Sequence, residues 1–239
     1  MVSKIWTSFD KAVADIPDGA TVMIGGYVGP TSMPQNLISA LHNQGSKNLT
    51  VISAIMGYGG KHPLMPSLSY TDPGILVENK QVKIAITSWA RSPYPGWPCP
   101  IEEAYLAGYV ELELVPMGTL MEKIRSGGAG LGGFYTKVGV GTMVAEGKEE
   151  KIIDGQRYIL ELPLKADFAL IRAYKADTMG NLVYRGTSRY NCPVMATAAK
   201  VTIAEVTEIV EAGEIDPNMI VTPGIYVNRI LKTMGGVKV

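Results

Sequence analysis

The apolar positions of this chain switch repeatedly between helical and strand spacing, in an order that predicts a parallel sheet. Phe9, Ala12, Val13 and Ile16 recur at helical spacing, and the Pro17-Asp18-Gly19 turn ends that helix. Residues 21–24 are β-branched and apolar and run into a glycine-rich turn. A helix follows over about 34–43, with Leu37, Ile38 and Leu41 on one face, and then a strand at 49–54. The alternation recurs as strand 82–87, helix 101–107 ended by Gly108, strand 111–115 and helix 120–126. Parallel neighbours need long crossover connections, and helices of this length supply them.

The second half has a different texture. Asp154-Gly155 separates two apolar runs and predicts a hairpin. Thr178-Met179-Gly180-Asn181 turns into another strand, so antiparallel pairing should join the parallel sheet. Further core strands are expected at 168–173 and 201–205, and a closing helix at 225–231. With 46% hydrophobic residues and no repeat, low-complexity tract or linker, the chain is read as one domain over 1–239. The fold class is α/β, a three-layer α/β/α arrangement around a mixed, mostly parallel sheet.

Composition then removes whole classes of function. Twenty-two basic residues balance twenty-two acidic ones, so long-range attraction to nucleic acid or an anionic membrane is not expected. No apolar run approaches the roughly 18 residues that a membrane span needs. The N-terminus lacks the continuous apolar core of a secretory signal, so the chain is expected to stay in the cytoplasm. Cys99 and Cys192 form no Cys-x-x-Cys pair and read as reduced thiols, and His42 and His62 are the sole imidazoles. A metal site or a histidine-based triad has little to draw on.

Two glycine-rich segments are the candidates for chemistry. Gly25-Gly26-Tyr27-Val28-Gly29-Pro30-Thr31-Ser32 lies between a strand and a helix, where freed backbone N–H groups could face an anion or an acyl carbonyl. A tight strand-to-helix turn would use the same residues, and the spacing matches neither a Walker loop nor a dinucleotide fingerprint. Gly127-Gly128-Ala129-Gly130-Leu131-Gly132-Gly133-Phe134 has five glycines in its first seven positions. So many glycines are costly in chain entropy and imply close backbone approach or a strained conformation. A flexible surface loop is the alternative, although such loops are usually polar and serine-rich.

The central block Gly118-Thr119-Leu120, Ile124-Arg125, Gly127-Gly128-Ala129-Gly130, Phe134-Tyr135-Thr136, Gly139-Val140-Gly141-Thr142 and Glu146-Gly147-Lys148 resembles the class I, 3-oxoacid type CoA-transferase α subunits. The resemblance continues through Asp18-Gly19-Ala20-Thr21 upstream and through Ala169-Leu170-Ile171-Arg172, Gly180-Asn181-Leu182 and Thr222-Pro223-Gly224 downstream. It implies a subunit that moves CoA from an acyl-CoA to a free carboxylic acid by ping-pong chemistry. The nucleophilic glutamate of that chemistry lies in the β subunit, within a Ser-Glu-Asn-Gly type motif that this chain lacks. An α/β heterodimer or α2β2 heterotetramer is implied, with CoA as carrier and no bound metal or cofactor.

By the same resemblance, Gly25, Gly26, Tyr27, Val28, Gly29, Pro30, Thr31 and Ser32, with Met117, Gly118, Gly130 and Phe134, are the expected CoA or substrate contacts. The departures concern the substrate. Met117 stands where the family carries a glutamine expected to help hold an oxyanion, and a thioether cannot donate that hydrogen bond. Ile55-Met56 replaces a polar turn, 62–72 looks like an insertion, and the Trp/Pro-rich 89–98 replaces a shorter polar segment. Those aromatics suit a bulkier or flatter acyl group than acetoacetate, or else form a lid or a subunit contact. Glu146 and the pair Glu102-Glu103 read as surface charges, and Arg125 as an anion anchor or a structural ion pair. A hydrolase on the same fold, acting on a CoA ester or a cyclic β-diketone, and a homomeric CoA-binding protein are the competing readings.

Overall fold

The computed structural model describes residues 3–27, 30–60, 70–94 and 96–234. Helix α1 (Phe9–Val13) starts where the Ser8 hydroxyl accepts from Lys11 N–H, 3.3 Å away. Strand β1 (Thr21–Ile24), helix α2 (Gln35–Gln44), β2 (Leu49–Ser53), α3 (Gly74–Glu78), β3 (Val82–Thr87), α4 (Pro100–Leu106), β4 (Glu111–Leu114) and α5 (Met117–Ala129) follow. An antiparallel excursion of β5 (Phe134–Thr136), β6 (Glu150–Ile153) and β7 (Gln156–Glu161) interrupts the alternation. The chain then closes with β8 (Ala166–Asp177), β9 (Leu182–Val183), α6 (Cys192–Thr197), β10 (Ala199–Val210) and β11 (Arg229–Lys232).

The main sheet runs β11-β10-β8-β1-β2-β3-β4, every neighbouring pair parallel, with β9 antiparallel on β8. Period-two alternation divides its side chains between two cores. Val22, Ile24, Val51 and Leu170 join the core under α1 to α4, whereas Met23, Ile52, Ala169 and Ile171 join the core under α5 and α6. Strand order grows outward from β1 in one direction and from β8 in the other. The topological switch point is therefore the β1/β8 junction, where open α/β sheets place their ligands.

One long-range contact fixes α2. Pro34 offers the start of α2 no side-chain cap, and the buried Glu205 of β10 substitutes for one. Its carboxylate accepts from Asn36 N–H at 2.9 Å and Leu37 N–H at 3.2 Å, and pairs with Arg172 at 2.8 Å.

Several expectations need correction. The closing helix over 225–231 does not form: Gly224–Tyr226 is a single 3-10 turn, and β11 pairs with β10 from Ile203↔Arg229 to Val206↔Lys232. Pairing buries Ile230 and Leu231 on the otherwise open edge of β10, while Ile225, the first residue of the expected helix, is left exposed. The hairpin is real, with Asp154 and Gly155 both at positive φ, but it builds a separate three-stranded sheet, β5-β7-β6, instead of joining the main one. Antiparallel pairing in the main sheet comes from β9. The two short helices α3 and α6, each entered through a proline, had no periodic pattern to announce them.

Candidate functional site

The C-terminal edge of the parallel strands is laced by hydroxyls. Ser53 Oγ, at the end of β2, donates to Ile24 O of β1 at 3.0 Å, and Thr87 Oγ1, at the end of β3, donates to Ala54 O at 3.2 Å. The first glycine turn leaves β1 at this edge, at the switch point. Gly25 N–H donates to Leu170 O of β8 at 2.9 Å. Gly26 N–H donates to Asn191 Oδ1 at 2.8 Å, and Asn191 Nδ2 donates back to Gly26 O at 3.0 Å. The Ser32 hydroxyl accepts from Tyr27 N–H at 3.1 Å and donates to Tyr27 O at 3.0 Å.

This geometry changes how the turn can act. The amides of Gly25, Gly26 and Tyr27 are occupied by protein acceptors, so this half of the turn is not a cradle of free N–H groups. Its glycines serve close packing instead. A Cβ on Gly25 would sit 2.5 Å from Cys192 Sγ, and one on Gly26, whose φ is +115°, would sit 2.7 Å from Ser32 O. Pro30 and Thr31 begin a short 3-10 turn that ends at the buried Ser32, whereas Val28 and Gly29 lie outside the described residues.

Tyr190 joins this turn to a second element. Its ring lies 5.5 Å from that of Tyr27, and its hydroxyl donates to Met117 O at 3.5 Å. Burial, and after it the neighbouring Tyr27, hold the Tyr190 phenol above its ordinary pKa, so it remains a donor. Met117, half-buried, and the exposed Gly118 open α5, whose N-terminus has no side-chain cap and no acidic residue in its first turn. Thr119 in that turn and Ser88 just past β3 each bury a hydroxyl oxygen with no hydrogen-bond partner among the described residues. Through Tyr190 the structure links Tyr27, and with it Gly26 and Ser32, to Met117 at the start of α5, where Gly118 follows.

Gly130 and Phe134 stand apart from this group. They follow the C-terminal end of α5, whose 13 residues span about 20 Å at ~1.5 Å per residue. The second glycine block is divided: Gly127 and Gly128 belong to α5, which extends past both ends of the expected 120–126, whereas 130–133 connect it to β5. A Cβ on Gly127 would lie 1.9 Å from Leu164 O, and one on Gly128 would lie 2.3 Å from Thr197 Oγ1 of α6. Gly130, in the left-handed region, ends the helix. Close approach of α5 to backbone and to α6 explains Gly127 and Gly128 without a ligand.

The substrate-side departures resolve unevenly. Met56 is buried in the core under α1 to α4 and is not a free pocket wall. The loop after it folds around the buried Asp72, which accepts from Tyr58 N–H at 2.8 Å and from Gly59 and Gly74 N–H at 2.9 Å. Burial raises the Asp72 pKa in spite of those three donors. The expected insertion, His62 included, falls mostly outside the described residues. Trp89 and Trp97 are both exposed, and Tyr94 of the same loop packs on Tyr58 with ring centroids 6.3 Å apart.

A family model described as coenzyme A transferase matches residues 6–233. The chain belongs to the coenzyme A transferase family. It is 46% identical over 230 residues to the A-type subunit of a probable succinyl-CoA:3-ketoacid coenzyme A transferase of Bacillus subtilis (strain 168), covering 96% of this chain and 90% of that protein. It is 43% identical over 237 residues to the A-type subunit of a 3-oxoadipate CoA-transferase of Pseudomonas putida, covering 98% and 96%. The crystal structure of the acyl-CoA transferase YdiF apoenzyme from Escherichia coli O157:H7 has the same fold, with TM-score 0.82 at 21% identity. The match covers 97% of this chain and 47% of that one, so the chain spans about half of the longer protein.

Among the described residues of this coenzyme A transferase chain, four carboxylates are buried, and all are engaged in holding the fold. Asp72 and Glu205 bind backbone amides, Asp177 accepts from Met179 and Asn181 N–H, and Glu161 pairs with Lys123 and Lys148. Glu146 is exposed beside the antiparallel excursion, and Glu102 pairs with Arg91 at the start of α4. Arg125 is a surface ion-pair residue, its Nε 2.8 Å from Glu122 Oε2. Both cysteines are free and buried, and burial pushes the Cys192 thiol up to about 12. Among the described residues no three His, Cys, Asp or Glu side chains group to hold a metal, and no helix is long and apolar enough to cross a membrane. Sequence reasoning missed Tyr190 and Asn191. Their one signal was a polar run, Thr187-Ser188-Arg189-Tyr190-Asn191, immediately before the Cys192-Pro193 helix start.

Proposed function

We propose that this chain is the A-type half of a two-subunit CoA-transferase that moves CoA between an acyl-CoA and a free carboxylic acid. The observation that carries it is the full-length match to relatives named as A-type subunits. The geometry supports the division of labour: the glycine turn sits at the switch point of the sheet, while each buried carboxylate is tied into the fold. The attacking glutamate then comes from the partner subunit. It forms an acyl anhydride with release of CoA thiolate, CoA displaces the acyl group as a carboxylate, and the second acid collects CoA by the reverse steps.

On this chain, 25–32 with Met117 and Gly118 form the acyl-CoA wall, and the Thr119 and Ser88 hydroxyls, without a partner among the described residues, add donors at the same edge. Gly130 and Phe134 would contribute only to a site long enough to follow α5. Met117 and the exposed Trp89 favour an acyl group bulkier or flatter than a short 3-keto acid. The test is reconstitution with a B-type subunit, giving parallel initial-rate lines when acyl-CoA and acid are varied together. Met117→Gln should shift kcat/KM toward short 3-keto acids about tenfold, the discrimination of a charge-assisted hydrogen bond of ~1.5 kcal/mol. Rapid release of free CoA without any acceptor acid would instead make the complex a hydrolase and overturn the reading.

A further inference from the structure

We propose that Asn191 is a positioning residue for CoA transfer, acting through the Gly26 peptide to hold the turn after β1 in its working shape. The inference rests on the transferase reading above. Asn191 is fully buried, and its amide engages both polar groups of one residue, accepting from Gly26 N–H at 2.8 Å and donating to Gly26 O at 3.0 Å. A carboxamide presents an acceptor and a donor side by side without charge, which a buried two-point clamp requires. Glycine visits positive and negative φ about equally, so the turn does not choose +115° by itself. The clamp makes that choice.

The frame behind the clamp is rigid. Asn191 precedes α6, and its carbonyl accepts from Met195 N–H at 3.0 Å. Its neighbour Cys192 is completely buried and fills the space where Gly25 lacks a side chain. On the other side Tyr190 touches Tyr27 and reaches Met117 O, so one dipeptide fixes both elements of the acyl-CoA wall relative to α6. Asn191 itself is packed behind the turn. Its influence on the reaction is the shape it imposes on Gly26 and Tyr27.

Asn191→Asp tests this with the same side-chain shape. The ionised carboxylate still accepts from Gly26 N–H but turns an oxygen without a proton toward Gly26 O, whereas the protonated acid restores donor and acceptor together. Burial raises the pKa of such a carboxyl. Of the groups beside it, the Cys192 thiol, 3.7 Å from Asn191 Oδ1 and itself pushed up to about 12 by burial, stays neutral, and the Arg172 cation near Cys192 offsets part of the rise. The clamp is therefore present below that raised pKa and is lost as pH rises through it.

In the complex with a B-type subunit, the variant's KM for acyl-CoA should lie within about twofold of the parent at the acid end of the working range. It should rise about tenfold toward alkaline pH, the equivalent of one or two lost hydrogen bonds. The parent's KM should stay level over the same range, and kcat should move less than KM. Amide hydrogen exchange at Tyr27, whose N–H belongs to the same peptide as the released Gly26 carbonyl, should accelerate in step relative to the parent at the same pH. Asn191→Ala should show the raised KM at every pH, and if it fails to fold, the aspartate variant alone decides.

A variant whose KM follows the parent at all pH values, while only its melting temperature shifts, overturns the proposal and leaves Asn191 a merely structural residue. A parent complex that transfers no CoA to any acid sinks the transferase reading instead. The Tyr27 exchange rates distinguish the two failures, because they report the clamp on the Gly26–Tyr27 peptide without turnover.

Discussion

Two glycine-rich segments, equally conspicuous in the sequence, do different jobs at opposite ends of one helix. The turn after β1 faces the N-terminus of α5 through Tyr190, and side chains that come from elsewhere hold its peptides. The block at the other end of α5 begins inside the helix, where Gly127 and Gly128 let that helix lie against Leu164 and Thr197. Glycine content alone could not separate a substrate wall from a packing seam. What separates them is the atom that a missing Cβ would meet.

That comparison can be broken by adding the methyl group back. Gly127→Ala should have the largest effect, because the obstacle is a backbone carbonyl that cannot swing aside. A loss of ~3 kcal/mol or more is expected by chemical denaturation, at the upper end for overpacking; an unchanged midpoint would mean that α5 does not sit as described. Gly25→Ala should cost less, about 2 kcal/mol, because its obstacle is the Cys192 sulfur. Trimming that obstacle with Cys192→Ala in the same chain should recover ~1 kcal/mol relative to additivity in a double-mutant cycle. Strict additivity would remove Cys192 from the account of the turn.

The smallest effect should have the opposite sign. A Cβ on Gly118 meets nothing within 4 Å, and the residue lies in the first turn of α5. Gly118→Ala should therefore stabilise the chain by ~0.5–1 kcal/mol, the ordinary helix preference of alanine. If Gly118 is glycine to admit substrate, KM for acyl-CoA should rise while the melting temperature also rises. A variant more stable and kinetically unchanged would detach Gly118 from the site.

Most of the fold was legible because strand and helix periods differ and are readable locally. Strands 21–24 and 82–87 have the expected bounds, and the Asp154-Gly155 turn forms the expected hairpin. Residues 225–231 misled because Ile225, Val227, Ile230 and Leu231 suit a helix face as well as an edge strand, and only β10 beside them decides. The site was half legible. Its glycines are visible in sequence, but Asn191 and Tyr190 acquire meaning only when the topology returns the chain to β1 from 165 residues away. No local period encodes such a return.

The cap that Glu205 places on α2 has a temporal consequence. Helix α2 is made early in synthesis, yet the carboxylate that receives Asn36 and Leu37 N–H arrives 169 and 168 residues later. Until then α2 begins without a cap and β8 lacks its β10 neighbour, so the nascent chain presents an open strand edge one strand away from the place where the site will form. The last strands synthesised therefore complete the first ones. A ribosome-bound fragment ending before β10 should be sensitive to proteolysis around 25–37 and become protected only as that strand emerges.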